Sequence, residues 1–564
     1  MDKIFRVDIS KIKDGFYKIL EKIGLEVIDE NVIERLKKIG FKFNGKRVII
    51  EKKKVDEFIE KCKKRNLEKR KEDNEIKIES GSHALYHFDP EKREIKPLTK
   101  DILEDYTKLV AGLYENNKLS SAFCPGQPLD IDPQFSQIYQ QFLTLKYVKN
   151  PVIFSYSKKT FDIIYEMSKI CNCKISTGVH PISPLKVGGE EFELALYLID
   201  KNIYRDFGVA PMPVMGITAS IDWVSAWAQS FAECIGTSIL LENLGAENTY
   251  PYATLYVADM KTGNFVYGSP EHILITIFEK EINEKILGNP ARTAKSLNTS
   301  SKTPDIFAGM EKSVHTFVAL SSGYKKIGGA GILGVDEIFS PQQIFIDFEI
   351  VENVKRILKG IDEEYEDIEK NINEGIELNG FIIAETTIKK FRDFYFSPSL
   401  FSRETTRVFI KNKIDFLDKA WEMAKEVIRN YNYRIEEIYV GPVSGFKEPE
   451  IFEFIDLVKR AGFNSIFLPI GFSEDALKIY KYSSEKDFKI FIKIGGVPFD
   501  KNLRIAINEK GKEERLNCPI QKEVWQFLYL YTKKFFDKFK GEDFLKNIAG
   551  IYFDVERFVD ADIC

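Results

Sequence analysis

The sequence predicts an α/β protein: a TIM-like (β/α)8 barrel with an N-terminal helical and hairpin cap and a small C-terminal α/β unit. Three observations predict it. From about residue 100 to about 435, short apolar runs alternate with amphipathic segments of helical spacing. The runs are continuous rather than alternating, as buried parallel strands require. The region is long enough for one eightfold barrel, which takes roughly 250 residues or more.

The cap is expected over residues 1–95. Ile9, Ile12, Phe16, Ile19, Leu20 and Ile23 recur at helical spacing, and Gly24 is placed to stop that helix. Val32, Ile33, Leu36 and Ile39 repeat the pattern up to Gly40. Within residues 41–50, Asn44-Gly45 tolerates the positive φ of a two-residue turn and β-branched residues follow, so a hairpin is expected. Residues 61–78 are dominated by charge and read as a solvated helix end or linker.

The barrel is expected over residues 96–436. Residues 152–156 read as a strand and 161–167 as the helix after it. Residues 209–214 read as another strand end, and 225–241 as another helix. Residues 328–334 are glycine-rich but lack the Lys-Ser/Thr of a phosphate loop, and read as a backbone loop at the barrel mouth. The C-terminal unit is expected over residues 437–564. Its strands are placed at 438–440, 465–470 and 490–494, its helices at 451–458 and 522–539.

Composition narrows the function. Of the 564 residues, 44% are hydrophobic and 30% charged, the balance of an ordinary globular protein. A net charge of -4 argues against a nucleic-acid partner. Seven irregularly spaced cysteines argue against a disulfide framework and for a cytoplasmic location. The opening residues lack the apolar core of a secretory signal, and no apolar run reaches the ~20 residues of a membrane span.

The stretch from Ala210 to Glu271 carries the most information. It opens Ala210-Pro211-Met212-Pro213-Val214-Met215-Gly216 and closes with Asp259-Met260-Lys261-Thr262-Gly263 and Tyr267-Gly268-Ser269-Pro270-Glu271. Pro181-Ile182-Ser183-Pro184-Leu185 precedes it. Ser301-Lys302 with Asp305, and then Phe391-Arg392, Pro398 and Ser402-Arg403, follow. With these pieces in this order, residues 8–435 resemble the trimethylamine methyltransferase family. The sequence departs from the family pattern at Ser300, where an Asp is usual, and at Thr386, Thr387 and Lys390, where histidines are usual. It has no pyrrolysine.

The resemblance implies transfer of a methyl group from a methylated amine to Co(I) of a corrinoid. No Asp-x-His-x-x-Gly motif is present, so the corrinoid is expected on a separate protein, docked over the barrel face. It also leaves room for a homo-oligomer. A quaternary ammonium departs as a neutral tertiary amine and needs no proton, so a chain without pyrrolysine is suited to a betaine-like donor. A tertiary amine is the poorer alternative. By the same resemblance Glu233, Asp259 and Lys302 are the expected catalytic contacts, with Ser301 and Asp305 beside the substrate. Lys302 would meet a betaine carboxylate, and it equally fits a solvated loop lysine. Glu233 also fits a helix carboxylate paired with lysine, and Asp259 a turn residue bonding its own backbone.

A quaternary ammonium is held by aromatic faces, each worth roughly 0.5–2 kcal/mol. Trp223, Trp227, Tyr250, Tyr252, Tyr256, Phe265 and Tyr267 are the candidates, and each also fits ordinary core packing. Residues just past strand C-termini are the better choices in a barrel. Two other chemistries are considered. Cys171-Asn172-Cys173 with His180 could supply zinc ligands, but the spacing fits no common pattern and no metal is expected. The lost Asp and histidines also fit a non-catalytic relative that binds an amine or a corrinoid protein.

Overall fold

The computed structural model describes residues 8–68, 75–289, 292–361, 367–413, 415–433, 448–460, 465–494, 505–507, 513–517 and 522–553. The chain is mixed α/β and divides into two compact units. One gathers residues 1–130, 143–162 and 174–434; the other gathers 131–142, 163–173 and 435–564. Among the described residues no helix is long and apolar enough to cross a membrane.

In the first unit, the helix Ile9–Lys18 is capped by Asp8 and runs into the π-helical turn Ile19–Ile23. Gly24, at φ 73°, stops it by donating to the Ile19 carbonyl at 2.7 Å. Ile12, Phe16 and Leu20 are fully buried. The hairpin pairs Lys42–Asn44 with Arg47–Ile49, with Asn44 opposite Arg47. The two turn residues are therefore Gly45 and Lys46, and of these only Gly45 has positive φ. This corrects the turn expected at Asn44-Gly45: Asn44 is the last paired residue.

The charged segment is also corrected. Lys52–Glu68 is one helix, and Arg65 and Asn66 on it are buried. Arg65 donates to Glu242 at 3.2 Å and to the Thr249 carbonyl; Asn66 donates to the Leu287 carbonyl at 3.0 Å. Buried polar groups need such partners, and here they come from distant segments. Residues 69–74 of that stretch lie outside the described residues.

A set of parallel strands organises the same unit. Lys77–Ser80 pairs with Lys326–Ala330, and Glu79 bridges Ser121. Val152–Phe154 pairs with Lys174–Ser176. Gly178–Val179, Asp206–Val209 and Asn248–Pro251 form a parallel sheet in that order. Ala294 bridges Ile327. The helices Glu190–Asp200, Trp223–Asn243, Pro270–Leu287, Ile306–Ser321 and Pro341–Leu358 alternate with these strands in the chain. No ladder links residues 121 and 152, or 248–251 and 294, among the described residues. At the second of these places Arg292 donates to the Tyr250 carbonyl at 3.0 Å and Asn289 to the Pro251 carbonyl at 2.9 Å.

Two further expectations change. The strand expected at 209–214 ends at Val209, so residues 210–214 lie past its C-terminus. Gly328, Gly329 and Ala330 belong to a strand rather than a mouth loop: Gly328 pairs with Glu79 and Ala330 with Ser80, with Gly329 at an irregularity between them. A Cβ on Gly329 would lie 1.9 Å from Asn298 Oδ1, so only glycine leaves room for that side chain. Behind this strand, Lys312 and Asp347 form an ion pair at 2.8 Å, both fully buried. Asp347 also accepts from the Gly331 amide and from Gln343, each at 2.8 Å.

In the second unit, Ser465–Pro469, Lys489–Ile494 and Ile548–Phe553 form a parallel sheet in that order. The helices Glu448–Arg460, Glu474–Glu485 and Lys522–Lys538 accompany it. Tyr480, Phe535, Phe539 and Phe544 close its core, with the Tyr480 and Phe544 rings stacked at 5.2 Å. The strand expected at 438–440 lies outside the described residues.

Candidate functional site

Chemistry-bearing side chains collect just past the C-terminal ends of the parallel strands. His83 follows Lys77–Ser80, Tyr156 follows Val152–Phe154, and His180 follows Gly178–Val179. Tyr256 follows Asn248–Pro251, Lys295 follows the Ala294 bridge, and Asp336 lies beyond Lys326–Ala330. Successive loops at one end of parallel strands are where such folds build sites.

Lys295 is the centre of this group. Its Nζ donates to Tyr267 Oη at 3.2 Å and lies 5.5 Å from the ring centroids of both Tyr256 and Tyr267. Tyr267 Oη donates to Asp336 Oδ2 at 3.4 Å, and Asn298 donates to the other oxygen of Asp336. Val335 and Asp336 hold φ of 60° and 73°, a left-handed backbone that costs a β-branched residue energy. Amide bonds from Gly334 to the Ser301 carbonyl (2.6 Å) and from Val335 to the Thr299 carbonyl (2.9 Å) keep it there.

Tyr256 and Tyr267 are 8% and 3% exposed, whereas Lys295 and His83 are open to solvent. Lys295 is nonetheless surrounded by protein, and desolvation is the largest influence on its charge. Desolvation pulls the Lys295 ammonium down, but the phenol oxygens of Tyr256 and Tyr267 and the Asp336 carboxylate outweigh it. The group stays protonated well above the ordinary lysine range.

His83 Nε2 lies 3.2 Å from Tyr156 Oη. Burial lowers the His83 pKa, Lys295 and His180 add to that, and Asp336 opposes them. The imidazole is therefore neutral at neutral pH. His180 Nδ1 and its backbone amide both meet Glu191 Oε2 at 2.8 Å. Phe123, Phe154 and Tyr156 form an aromatic row, with centroids 5.7 and 5.2 Å apart.

The residues expected from sequence are dispersed around this centre. Tyr267 stands in it, and Phe265 backs Tyr256 edge-on at 5.5 Å. Tyr252 is buried, its ring 5.1 Å from the Arg292 guanidinium. Tyr250 is half-buried and packs its ring 4.9 Å from Arg65. Trp223 and Trp227 lie on the helix Trp223–Asn243, 6.1 Å apart, with Trp223 also 5.4 Å from Phe278. Trp227 is fully buried. The structure does not bring either tryptophan to Lys295.

Glu233 is fully buried and accepts from the Ser183 hydroxyl (2.6 Å), the Leu185 amide (2.8 Å) and Gln229 (2.9 Å). Its burial raises its pKa, and those three donors restrain the rise. It pins the loop over residues 181–186, where Leu185 sits at φ 55°. Asp259 accepts from the Lys261 amide (2.9 Å) and the Thr262 hydroxyl (3.1 Å) in the exposed turn between Val257–Ala258 and Phe265–Val266. Lys302 is exposed and donates to the Ser300 carbonyl at 2.7 Å. Asp305 caps the helix Ile306–Ser321, accepting from the Ala308 amide (3.0 Å), Ser301 (2.8 Å) and Thr303 (2.7 Å).

Ser300, which stands where the family pattern has Asp, exchanges two 2.9 Å hydrogen bonds with the backbone of Tyr267. Thr386 donates to Asn371 at 3.1 Å on the helix Glu385–Phe394, which buries no side chain. Among the described residues no three His, Cys, Asp or Glu side chains gather as a metal-binding cluster. His83, Tyr156, Lys295 and Asp336 were not singled out by sequence as site residues, and His180 only as a possible zinc ligand. The signal that finds them is position: each stands just past the C-terminal end of a parallel strand.

A family model described as trimethylamine methyltransferase (MTTB) matches residues 4–434. A glycine betaine methyltransferase of Desulfitobacterium hafniense is 22% identical over 453 residues, covering 75% of this chain and 91% of the relative. A trimethylamine methyltransferase of the same species is 21% identical over 444 residues, covering 75% and 88%. One from Methanosarcina thermophila is 30% identical over 179 residues, covering 31% and 36%. With most of its length matched, the chain belongs to the trimethylamine methyltransferase (MTTB) family, whose named members are methyltransferases.

Proposed function

We propose that this protein moves a methyl group from a quaternary amine of betaine type to Co(I) of a corrinoid carried by a separate protein. The observation that carries the reading is the group of side chains past the strand ends, which sets the Phe123–Phe154–Tyr156 row beside a neutral histidine and a protonated lysine. Family membership and the glycine betaine methyltransferase relative support the same class of donor.

The frame for this site is proposed to be a (β/α)8 barrel. The strand positions at 77, 121, 152, 174, 206, 248, 294 and 326 follow chain order, and the last pairs with the first, which supports closure. The two places without ladders are spanned by Arg292 and Asn289 on one side and by the Phe123–Phe154 ring contact on the other.

The chemistry asks little of the protein in protons. The carbon–nitrogen bond breaks, its electron pair stays on nitrogen, and the methyl carbon bonds to cobalt. The neutral tertiary amine needs no acid. What the chain supplies is binding, orientation and exclusion of water, which are large contributors for an in-line displacement. When docked, the partner's corrinoid supplies the nucleophile. Exposed apolar residues fit such a docking partner: Ile182, Met212, Ile217, Ile221 and Met260 all stand on loops past the strand ends. Met260 Sδ and Ile221 Cδ1 come within 3.1 and 3.6 Å of a Cβ placed on Gly216, so part of this rim is continuous.

The test mixes the protein with a reduced corrinoid protein and a panel of methylated amines, and follows the Co(I) absorbance. Its loss with a quaternary donor, together with formation of methyl-cobalt, supports the reading. Tight amine binding without methyl transfer to any acceptor contradicts it, and fits a non-catalytic relative.

A further inference from the structure

We propose that Lys295 receives the carboxylate of the donor, and that Tyr256 and Tyr267 hold this lysine rather than the methylated nitrogen. The proposal rests on the function proposed above and deepens it. Three observations lead to it.

Lys295 makes no direct ion pair among the described residues, although three aromatic and carboxylate neighbours surround its head group: Tyr256, Tyr267 and Asp336. Of its three N–H donors one is used, toward Tyr267 Oη. Two buried cations elsewhere in this unit, Lys312 and Arg65, are each paired with a carboxylate, at 2.8 and 3.2 Å. Asp336 reaches Lys295 only through the Tyr267 hydroxyl, so two of its donors stay open to a carboxylate from solution.

The two tyrosines already have a cation beside them, which meets Tyr267 at its hydroxyl end. Both rings stand 5.5 Å from Lys295 Nζ, and a second cation placed against them would meet the first. A trimethylammonium group is therefore directed away from Tyr256 and Tyr267.

The aromatic row beside His83 suits the ammonium. Phe123, Phe154 and Tyr156 offer faces, and His83 beside Tyr156 is neutral. Tyr156 senses Lys295 on one hand and Glu191 on the other, with opposite effects on its hydroxyl. Glu191 is held by His180. A zwitterion with its carboxylate at Lys295 and its ammonium toward Tyr156 and Glu191 matches this polarity, whereas a simple alkylammonium leaves Lys295 without an anion.

The test is calorimetric binding of glycine betaine and of choline, which keeps the trimethylammonium but carries an alcohol in place of the carboxylate. The full chain is used as wild type, Lys295→Met and Lys295→Arg. The wild type is expected to prefer betaine. K295M is expected to lose betaine affinity on the order of 100-fold with choline unchanged, and K295R to retain most of it. Should K295M melt early, Lys295→Gln carries the same comparison. Equal weakening of both ligands in the variants, unchanged betaine binding, or a wild type without preference overturns the role of Lys295. Absence of binding by either ligand to the wild type overturns it too, but through failure of the underlying amine-binding reading.

Discussion

The Glu233 carboxylate accepts the Ser183 hydroxyl at 2.6 Å and, with its other oxygen, the Leu185 amide at 2.8 Å. A helix interior thereby fixes a loop fifty residues earlier in the chain. Glu233→Ala leaves that amide and hydroxyl without acceptors in a buried place, at a cost of about 1–3 kcal/mol for each group. Its melting temperature should fall, and amide exchange over residues 181–187 should quicken more than elsewhere. Unchanged exchange in that loop would remove this positional role. Glu233→Gln, which keeps an acceptor oxygen, should be milder.

Tyr267→Phe keeps the ring and deletes the hydroxyl that both anchors Lys295 and meets Asp336. Betaine binding should weaken by about 3- to 10-fold, the worth of one such bond. Choline binding and melting temperature should change little. A variant that loses both ligands equally would place Tyr267 against the ammonium instead.

The Lys312–Asp347 pair sits behind the strand Lys326–Ala330 and holds the Gly331 amide. Lys312→Met strands a buried carboxylate and should cost about 3–5 kcal/mol, read as a lower melting temperature. Adding Asp347→Leu to it should recover part of the loss, because both charges are then gone. Additive losses in the double variant would show that the two residues act separately.

His272 and His315 lie edge-on at 4.8 Å in the core, and burial lowers both pKa values, that of His315 to about 3. Unfolded, they titrate near the ordinary histidine value of 6.5. Below that pH the unfolded chain binds more protons than the folded one, so stability falls with falling pH. Each histidine contributes a slope approaching ~1.4 kcal/mol per pH unit. Above it both states are neutral and this contribution is fully present. Between about pH 7.5 and about pH 5 the melting temperature should drop, and His315→Asn should drop less. Equal drops would exclude His315 from the acid response.

The cap was legible because local rules decide it. The apolar spacing of Ile12, Phe16 and Leu20 sets one helical face, and Gly24 ends it. The charged helix Lys52–Glu68 was not, because Arg65 and Asn66 are satisfied by Glu242, Thr249 and Leu287, contacts only tertiary folding creates. The aromatics of the central stretch were found but not sorted. Trp223 and Trp227 are four apart on a helix, a spacing that shows they meet each other and not which surface they face. Lys295 escaped notice because Ala294 makes only one bridge, to Ile327, and the surrounding Thr293, Lys295 and Ser296 form no apolar run.

Methyl transfer itself is tested most directly by single-turnover analysis. Protein, Co(I) corrinoid protein and a trimethylated betaine are mixed, quenched, and both products are counted by mass spectrometry. The account predicts one demethylated amine for each methylated corrinoid, with neither formed when this chain is omitted. Intact betaine beside unmethylated corrinoid, from protein that binds the donor, would contradict it.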